Sequence, residues 1–331
     1  MNPPPIDFVI TWVDGNDPEW QKKKFEHTGV GFIEGNTEVR YRDWNTLKFW
    51  FRGVEKFAPW VRYIYFVTDK QKPSWLNLEH PKLKWISHSD FIPKEYLPTF
   101  NSNVIEWNLH RINGLSECFV YFNDDMFLIN KTVPDDFFKQ NLPCDFPVLS
   151  PLYPSNFFSY LMVNNICLLN RHFSLRNSIK ANKKKWVKNQ SIWGLCKLAL
   201  YGRHTLIPGI NGHHIHISYL KKNFQLLWEK EYNDIHSTCK NKLRSKNDLT
   251  TWCVRDWQLL SGEFYPKKPI GKLFQTSELN HSKELLTYLQ KQKGKVICLN
   301  DTETEDNFEL HQEQIISAFK DLFPEKSSFE L

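Results

Sequence analysis

Residues 119–127, FVYFNDDMF, constrain this chain more than any other stretch. Phe119 to Phe122 is a short apolar run of aromatic and β-branched residues, which reads as a buried strand. It stops abruptly at Asn123, Asp124 and Asp125. Adjacent carboxylates at the end of a strand repel each other and are comfortable only when solvated or bridged by a cation. Hard oxygens of this kind suit Mg²⁺ or Mn²⁺, which commonly join one or two carboxylates to substrate phosphates. In open α/β sheets, ligands sit beyond the carboxyl ends of strands. The plainer reading is a polar turn, since Asn and Asp are turn formers, and the stretch alone leaves both open.

The residues before it alternate between strand and helix. Ile6 to Val13 is apolar on both parities, as in a strand buried on both faces, and Asp14-Gly15-Asn16-Asp17-Pro18 forces a turn. Residues 21–39 read as a helix fragment followed by a loop. Asp43 stands where a helix cap would, ahead of an apolar face formed by Leu47, Trp50, Phe51, Val54 and Phe57. Arg40, Arg42 and Arg52 flank this helix; they suit a phosphate site, or surface ion pairs. Strands are expected over 61–68 and 83–87. Asn103 and Glu106 have the spacing of a capping box, and Glu106 and His110 lie one turn apart, as site residues or as a polar pair. This rhythm predicts a twisted, mostly parallel sheet.

After residue 130 the pattern changes. Residues 131–160 read as irregular, and helices are expected in patches over 175–202 and at 222–231 and 248–261, the last stopped by Gly262. His213, His214 and His216 fall within four positions, but no cysteine is near and no tetrahedral set is visible. One active His with bystanders fits better than a zinc site. Lys295 to Leu299 reads as a late strand ending in Asn300-Asp301, an echo of Asn123-Asp124-Asp125. Residues 308–323 have the pattern of an amphipathic helix.

Composition narrows the function classes. A formal charge of +6 over 331 residues is modest; it suits an anionic substrate or membrane surface and, with no reader motif, argues against nucleic acid. The densest basic run is Lys183 to Lys185 with Lys188, read as a solvated helix face, with membrane contact as the second reading. Seven cysteines without a CxxC, several in apolar runs such as those around Cys167 and Cys298, suit reduced, buried thiols and a cytoplasmic location. MNPPPID lacks the basic and apolar regions of a signal peptide, and no apolar run reaches transmembrane length. Any membrane contact is expected from the surface, at the inner face of the cell membrane.

Four blocks in order carry a family resemblance: IDFVITWVDGNDP at 6–18; RDWNTLKFWFRGVEKFAPWVRYIYFVTDKQKPSWL at 42–76 with LPTFNSNVIEWNLHRINGLSECFVYFNDDMFL at 97–128; HHIHISYLKK at 213–222 running on to LRS at 243–245; and KVICLND at 295–301. The chain resembles the Stealth family of sugar-1-phosphate transferases, which includes bacterial capsular and surface polysaccharide phosphotransferases and the catalytic part of lysosomal-enzyme N-acetylglucosamine-1-phosphotransferase. It departs from the family's usual Glu-Leu-Arg-Tyr at Thr46-Leu47-Lys48-Phe49.

The resemblance implies one catalytic domain over 1–331 with a glycosyltransferase-A-like α/β core. The core sheet would come from 1–130 and 290–331, and 131–290 would be a largely helical insertion. It also implies a UDP-sugar donor, a divalent cation (Mg²⁺ or Mn²⁺) and a glycan acceptor, free or lipid-linked. Hexose-1-phosphate would pass to an acceptor hydroxyl with release of UMP. On that reading Asp125, His214 and Arg244 are catalytic, His214 as general base and Arg244 as phosphate clamp. Asp124, Asp125, Asn300 and Asp301 would hold the metal. Asp14, Gly15, Arg40, Arg52, Asn123 and Lys221 would bind substrate. The rival readings are a metal-dependent glycosyltransferase releasing UDP and a glycan-binding module without turnover.

Overall fold

The computed structural model describes residues 4–29, 38–302 and 305–331, the side chains of Glu38, Arg40 and Glu305 excepted. Its first half runs β1 (Ile6–Thr11), α1 (Pro18–Thr28), α2 (Leu47–Phe57), β2 (Ile64–Thr68), β3 (Leu83–Ser87), α3 (Ser102–Asn108) and β4 (Cys118–Phe122). A second run follows: β5 (Met126–Leu128), β6 (Phe138–Lys139), β7 (Leu142–Asp145), α4 (Phe157–His172), α5 (Leu175–Ala181), α6 (Lys183–Val187) and α7 (Ile192–Tyr201). The last third contains β8 (Ile217–Leu220), α8 (Lys221–Lys230), α9 (Tyr232–Lys240), α10 (Trp252–Ser261), β9 (Tyr265–Pro266), β10 (Gly271–Gln275), α11 (Glu284–Gln290), β11 (Val296–Asn300) and α12 (Glu305–Leu322).

The main sheet has the order β3-β2-β1-β4-β8, with the first four strands parallel and β8 antiparallel at the edge. This is the expected mostly parallel α/β architecture. Its strands bury both faces because successive side chains alternate. Phe8, Ile10, Ile64, Phe66, Val120 and Phe122 enter one core with α2 and α12. Val9, Tyr65, Val67, Phe119 and Tyr121 enter another with α3 and α10. Ile10 lies opposite Phe122, so the chain leaves β1 and β4 at the same edge. Asp14 and Asn123 to Asp125 therefore share that edge.

A small sheet, β10-β11-β5, continues it. Cys298 of β11 faces Met126 of β5, and the Leu299 N–H donates to the Asp125 carbonyl at 2.8 Å. The two strand ends that read alike in sequence thus meet. Strand β8, from within 131–290, completes the main sheet.

Several local expectations change. Asp43 does not cap α2: Thr46 holds that position, and Asp43 Oδ1 accepts the Asn45 N–H at 2.8 Å in its own tight turn. Helix α3 is capped by Asn101, whose side chain accepts the Asn103 N–H, so Asn103 and Glu106 form no capping box. Within 131–160 lie β6, β7 and the start of α4. Gly262 does end α10, in the left-handed region at φ +79°. All seven cysteines are free thiols, but Cys167 and Cys196 are exposed rather than buried. Among the described residues no helix is long and apolar enough to cross a membrane.

Candidate active site

The cleft begins where β4 ends. The chain turns at once, with the Met126 N–H on the Asn123 carbonyl, and β5 departs toward β11. Asp125 is fixed by Leu299 through its carbonyl and by the Cys298 thiol, which donates to its Oδ2 at 3.4 Å. Burial, then the charges of Asp125 and Asp43, together push the Asp124 carboxyl up to about 7, with Arg244 opposing them. Asp124 is nonetheless an exposed residue, so water weakens the burial contribution first, and the crowding of like charge is the cause that stands. Burial likewise raises the Asp43 carboxyl, and Asp14 adds to it. Asp14, Asp43, Asp124 and Asp125 are thus a row of carboxylates, each in electrostatic reach of the next.

The opposite wall comes from α3. Glu106 points into a cavity lined also by Tyr121, Asn123, His214 and Trp252. Burial raises its carboxyl, while the Thr251 hydroxyl, Arg244 and Tyr121 stabilise the charge. Arg244 reaches the same helix, donating to Ser102 Oγ at 2.8 Å, one turn before Glu106. Its loop is held by the buried Asp248, which accepts from Asn101 Nδ2 (2.8 Å), Asn103 Nδ2 (3.2 Å), Asn241 Nδ2 (2.6 Å) and the Ser245 N–H (3.0 Å). Four donors on one buried carboxylate make this support rigid.

Of the three histidines, only His214 enters the cleft. One of its ring nitrogens lies within 4.8 Å of a carboxylate oxygen of Asp125 and of Cys298 Sγ. Its backbone is at φ +36°, and its ring stacks on Trp252 with 5° between planes. Gly212 permits this approach, since a Cβ there would fall 1.7 Å from the Trp252 ring. His216 instead lies among Phe122 and Phe137, and burial lowers its pKa to about 4. His213 faces the adjoining recess with Arg255 and Lys267, and burial and then Arg255 lower its pKa.

Other expected site residues are placed differently. Lys221 begins α8 next to Leu220, which pairs with Cys118 at the amino end of β4; its Nζ donates to the Leu115 carbonyl. That is the far end of the strand from Asp124, because β8 runs antiparallel. Arg52 gives two N–H groups to the Glu330 carboxylate, both at 2.7 Å, and a third to the Phe323 carbonyl, fastening α2 to the C-terminal segment. Asp301 receives Arg42 (2.9 and 2.7 Å) and the Trp44 indole N–H (2.9 Å), so its carboxylate orients the stretch before α2. Asn300 donates to Gln275 Oε1 at 2.6 Å. Asp14 binds Gln71 through its backbone, and Gly15 lies so close to the Tyr41 carbonyl that a Cβ would fall 2.1 Å from it. The Arg40 side chain lies outside the described residues.

Sequence reasoning left Glu106 undecided beside His110. The structure separates them: His110 is buried against Phe224 and Trp228, while Glu106 faces the cleft. Asp43, read as a cap, joins the carboxylate row. The only early signal was the carboxylate itself on a helix whose apolar stripe lies elsewhere.

The donor set indicates which cation fits. Four carboxylates opposed by Arg244 are hard oxygens of the kind Mg²⁺ and Mn²⁺ prefer. The trio Asp125, His214 and Cys298 has mixed donors. Burial, and then the neighbouring Asp125, raise the Cys298 pKa well above the ordinary thiol range, and its thiol donates to Asp125 Oδ2.

Models of Stealth protein conserved region 1 and conserved region 2 match residues 4–24 and 40–145. The chain is 42% identical over 339 residues to the capsular polysaccharide phosphotransferase WcwK of Streptococcus pneumoniae, covering 98% of each. It is 40% identical over 332 residues to the receptor polysaccharide phosphotransferase WefC of Streptococcus gordonii, covering 98% of this chain and 99% of WefC. A solved galactosyltransferase, LgtC, overlays 94% of this chain and 95% of its own at 10% identity, with a TM-score of 0.37, too low for any structural conclusion. The chain belongs to the Stealth family. It is a phosphotransferase.

Proposed function

We propose that this chain moves hexose-1-phosphate from a UDP-sugar onto a hydroxyl of an acceptor glycan, free or lipid-linked, in the synthesis of a surface polysaccharide. The observation that carries the reading is the convergence of Glu106, Asp125, His214 and Arg244 on one cleft at the carboxyl edge of the sheet. The polysaccharide phosphotransferases it resembles over their full length support the same chemistry.

The acceptor oxygen forms a bond to the phosphorus that bears the sugar. The bond from that phosphorus to the bridging oxygen breaks, and its electron pair leaves with UMP. The hydroxyl proton passes to His214, since an imidazole accepts protons near neutral pH. Arg244 faces the phosphoryl oxygens, where charge builds, and its planar fork suits them. Asp125 holds the His214 side of the cleft in place, and Glu106 orients the acceptor hydroxyl from the other wall. Asp124 and Asp125 would hold Mg²⁺ or Mn²⁺, which when bound offsets the charge of the diphosphate. The sugar's anomeric bond is untouched.

The test is the nucleotide released from a UDP-sugar panel with an oligosaccharide acceptor. The expected result is stoichiometric UMP and a phosphodiester in the product. Stoichiometric UDP with a phosphorus-free product would make the protein a glycosyltransferase. Saturable glycan binding with no nucleotide released would make it a binding module.

A further inference from the structure

Helix α7, IWGLCKLALY, has no buried residue. Gly194, Leu198 and Tyr201, spaced four and three apart, form its inner stripe, and Leu198 and Tyr201 pack on the core. The outward face is equally apolar. Ile192 and Trp193 are each 79% exposed, Leu200 is 62% exposed and Leu206, in the following loop, 65%. A helix that is apolar all round is normally buried, and an exposed apolar patch rimmed by polar groups marks a surface that meets something.

The rim identifies what it meets. Residues 146–228 hold eleven Lys and Arg and no Asp or Glu, in a chain whose formal charge is only +6. Lys180, Lys183, Lys184, Lys188, Lys197 and Arg203 are exposed around α7, and among the described residues none of them forms an ion pair. The exposed Arg171 behaves differently: it is held by Glu231 and Asp234. An apolar centre carrying a Trp, with a cationic rim free of carboxylates, complements an anionic lipid bilayer. There, apolar side chains enter the acyl boundary and lysines meet the headgroups. A second copy of this chain suits the patch poorly, because a two-fold contact would set like-charged rims against each other.

We propose that α7 and its lysine rim dock the protein on an anionic bilayer surface. The docking surface is independent of which nucleotide the cleft releases.

The experiment is flotation of the full chain with vesicles of phosphatidylcholine alone and of phosphatidylcholine mixed with phosphatidylglycerol. Flotation is expected with the anionic vesicles and not with the neutral ones, weakening as salt is raised. Each lysine near such a surface contributes about fivefold in affinity. The triple change Lys183→Gln, Lys184→Gln, Lys188→Gln is therefore expected to lower binding by more than about tenfold. The double change Ile192→Ser, Trp193→Ser is expected to abolish flotation without moving the thermal midpoint, since both side chains are exposed. No flotation with anionic vesicles, or flotation that neither variant alters, overturns the proposal. So does a concentration-dependent dimer in sedimentation that the double change abolishes, if no vesicle binding accompanies it.

Discussion

The Cys298 thiol donates to the Asp125 carboxylate from a strand 173 residues further along the chain. This contact joins the β11 end to the β4 end beside His214. Cys298→Ala removes the donor and leaves a small gap. A stability loss of about 1–2 kcal/mol is expected, with kcat reduced because the Asp125 carboxylate loses its fixed position. Thermal unfolding and steady-state kinetics on the same sample check this, and unchanged kcat would mean that Asp125 is positioned by its backbone alone.

Glu106→Gln keeps the size of the side chain and its contact with Thr251 while removing the charge beside Arg244. The variant is expected to fold and to lose about 10²–10⁴-fold in kcat. Activity within twofold of the parent would reduce Glu106 to a structural hydrogen-bond partner.

Arg52→Ala separates stability from chemistry. Its guanidinium and Glu330 form a partly buried two-pronged pair, so truncation leaves the carboxylate with Ser327 as its remaining donor. A loss of about 1–3 kcal/mol is expected, with kcat and KM of the remaining folded enzyme unchanged. A rise in KM for the UDP-sugar at unchanged stability would return Arg52 to the substrate site.

Acid is expected to destabilise the protein through His110. Burial, then the neighbouring Arg111, lower its pKa from 6.5 to about 3. The folded state therefore refuses a proton that the unfolded chain accepts. The stabilisation is complete above pH 6.5 and is lost as pH falls toward 3, by about 2 kcal/mol at pH 5. Denaturation midpoints between pH 7.5 and 5 measure the slope. His110→Phe, which keeps the stack on Phe224, is expected to lessen the slope, with the buried His88 and His216 supplying the rest, and an unchanged slope would assign it to other groups.

Chelation is expected to stop turnover, and added Mg²⁺ or Mn²⁺ to restore it. Asp124→Asn is expected to raise the cation concentration needed for half-maximal rate, because it removes one charge from the carboxylate row. Chelator-insensitive turnover would show that the carboxylates work without a cation.

The parallel sheet was legible because its strands obey a local rule. FVYF and IDFVIT are apolar on both parities, and that pattern requires burial on both faces wherever the strand ends up. Asn123-Asp124-Asp125 was legible as a site because two carboxylates at a strand end need an explanation. Arg52 and Lys221 misled for the opposite reason. A cation in sequence looks the same whether it faces a phosphate, a distant Glu330 or a neighbouring carbonyl, and those partners lie 278 and 106 residues away.

The sequence by itself determined the parallel strands β1 to β4 and the two acidic strand ends, since these follow from side-chain periodicity and charge over short stretches; it placed neither β8 in the main sheet nor β11 in the small one. Tertiary structure decided which polar groups share the cleft. It turned Glu106 inward and His110 into the core, selected His214 over His213 and His216, brought Arg244 to Ser102, and closed Asp301 on Arg42. Hydrogen bonds and ion pairs act over a few ångströms in space, and the chain separations they bridge, 259 residues for Arg42 and Asp301, leave no mark on local pattern.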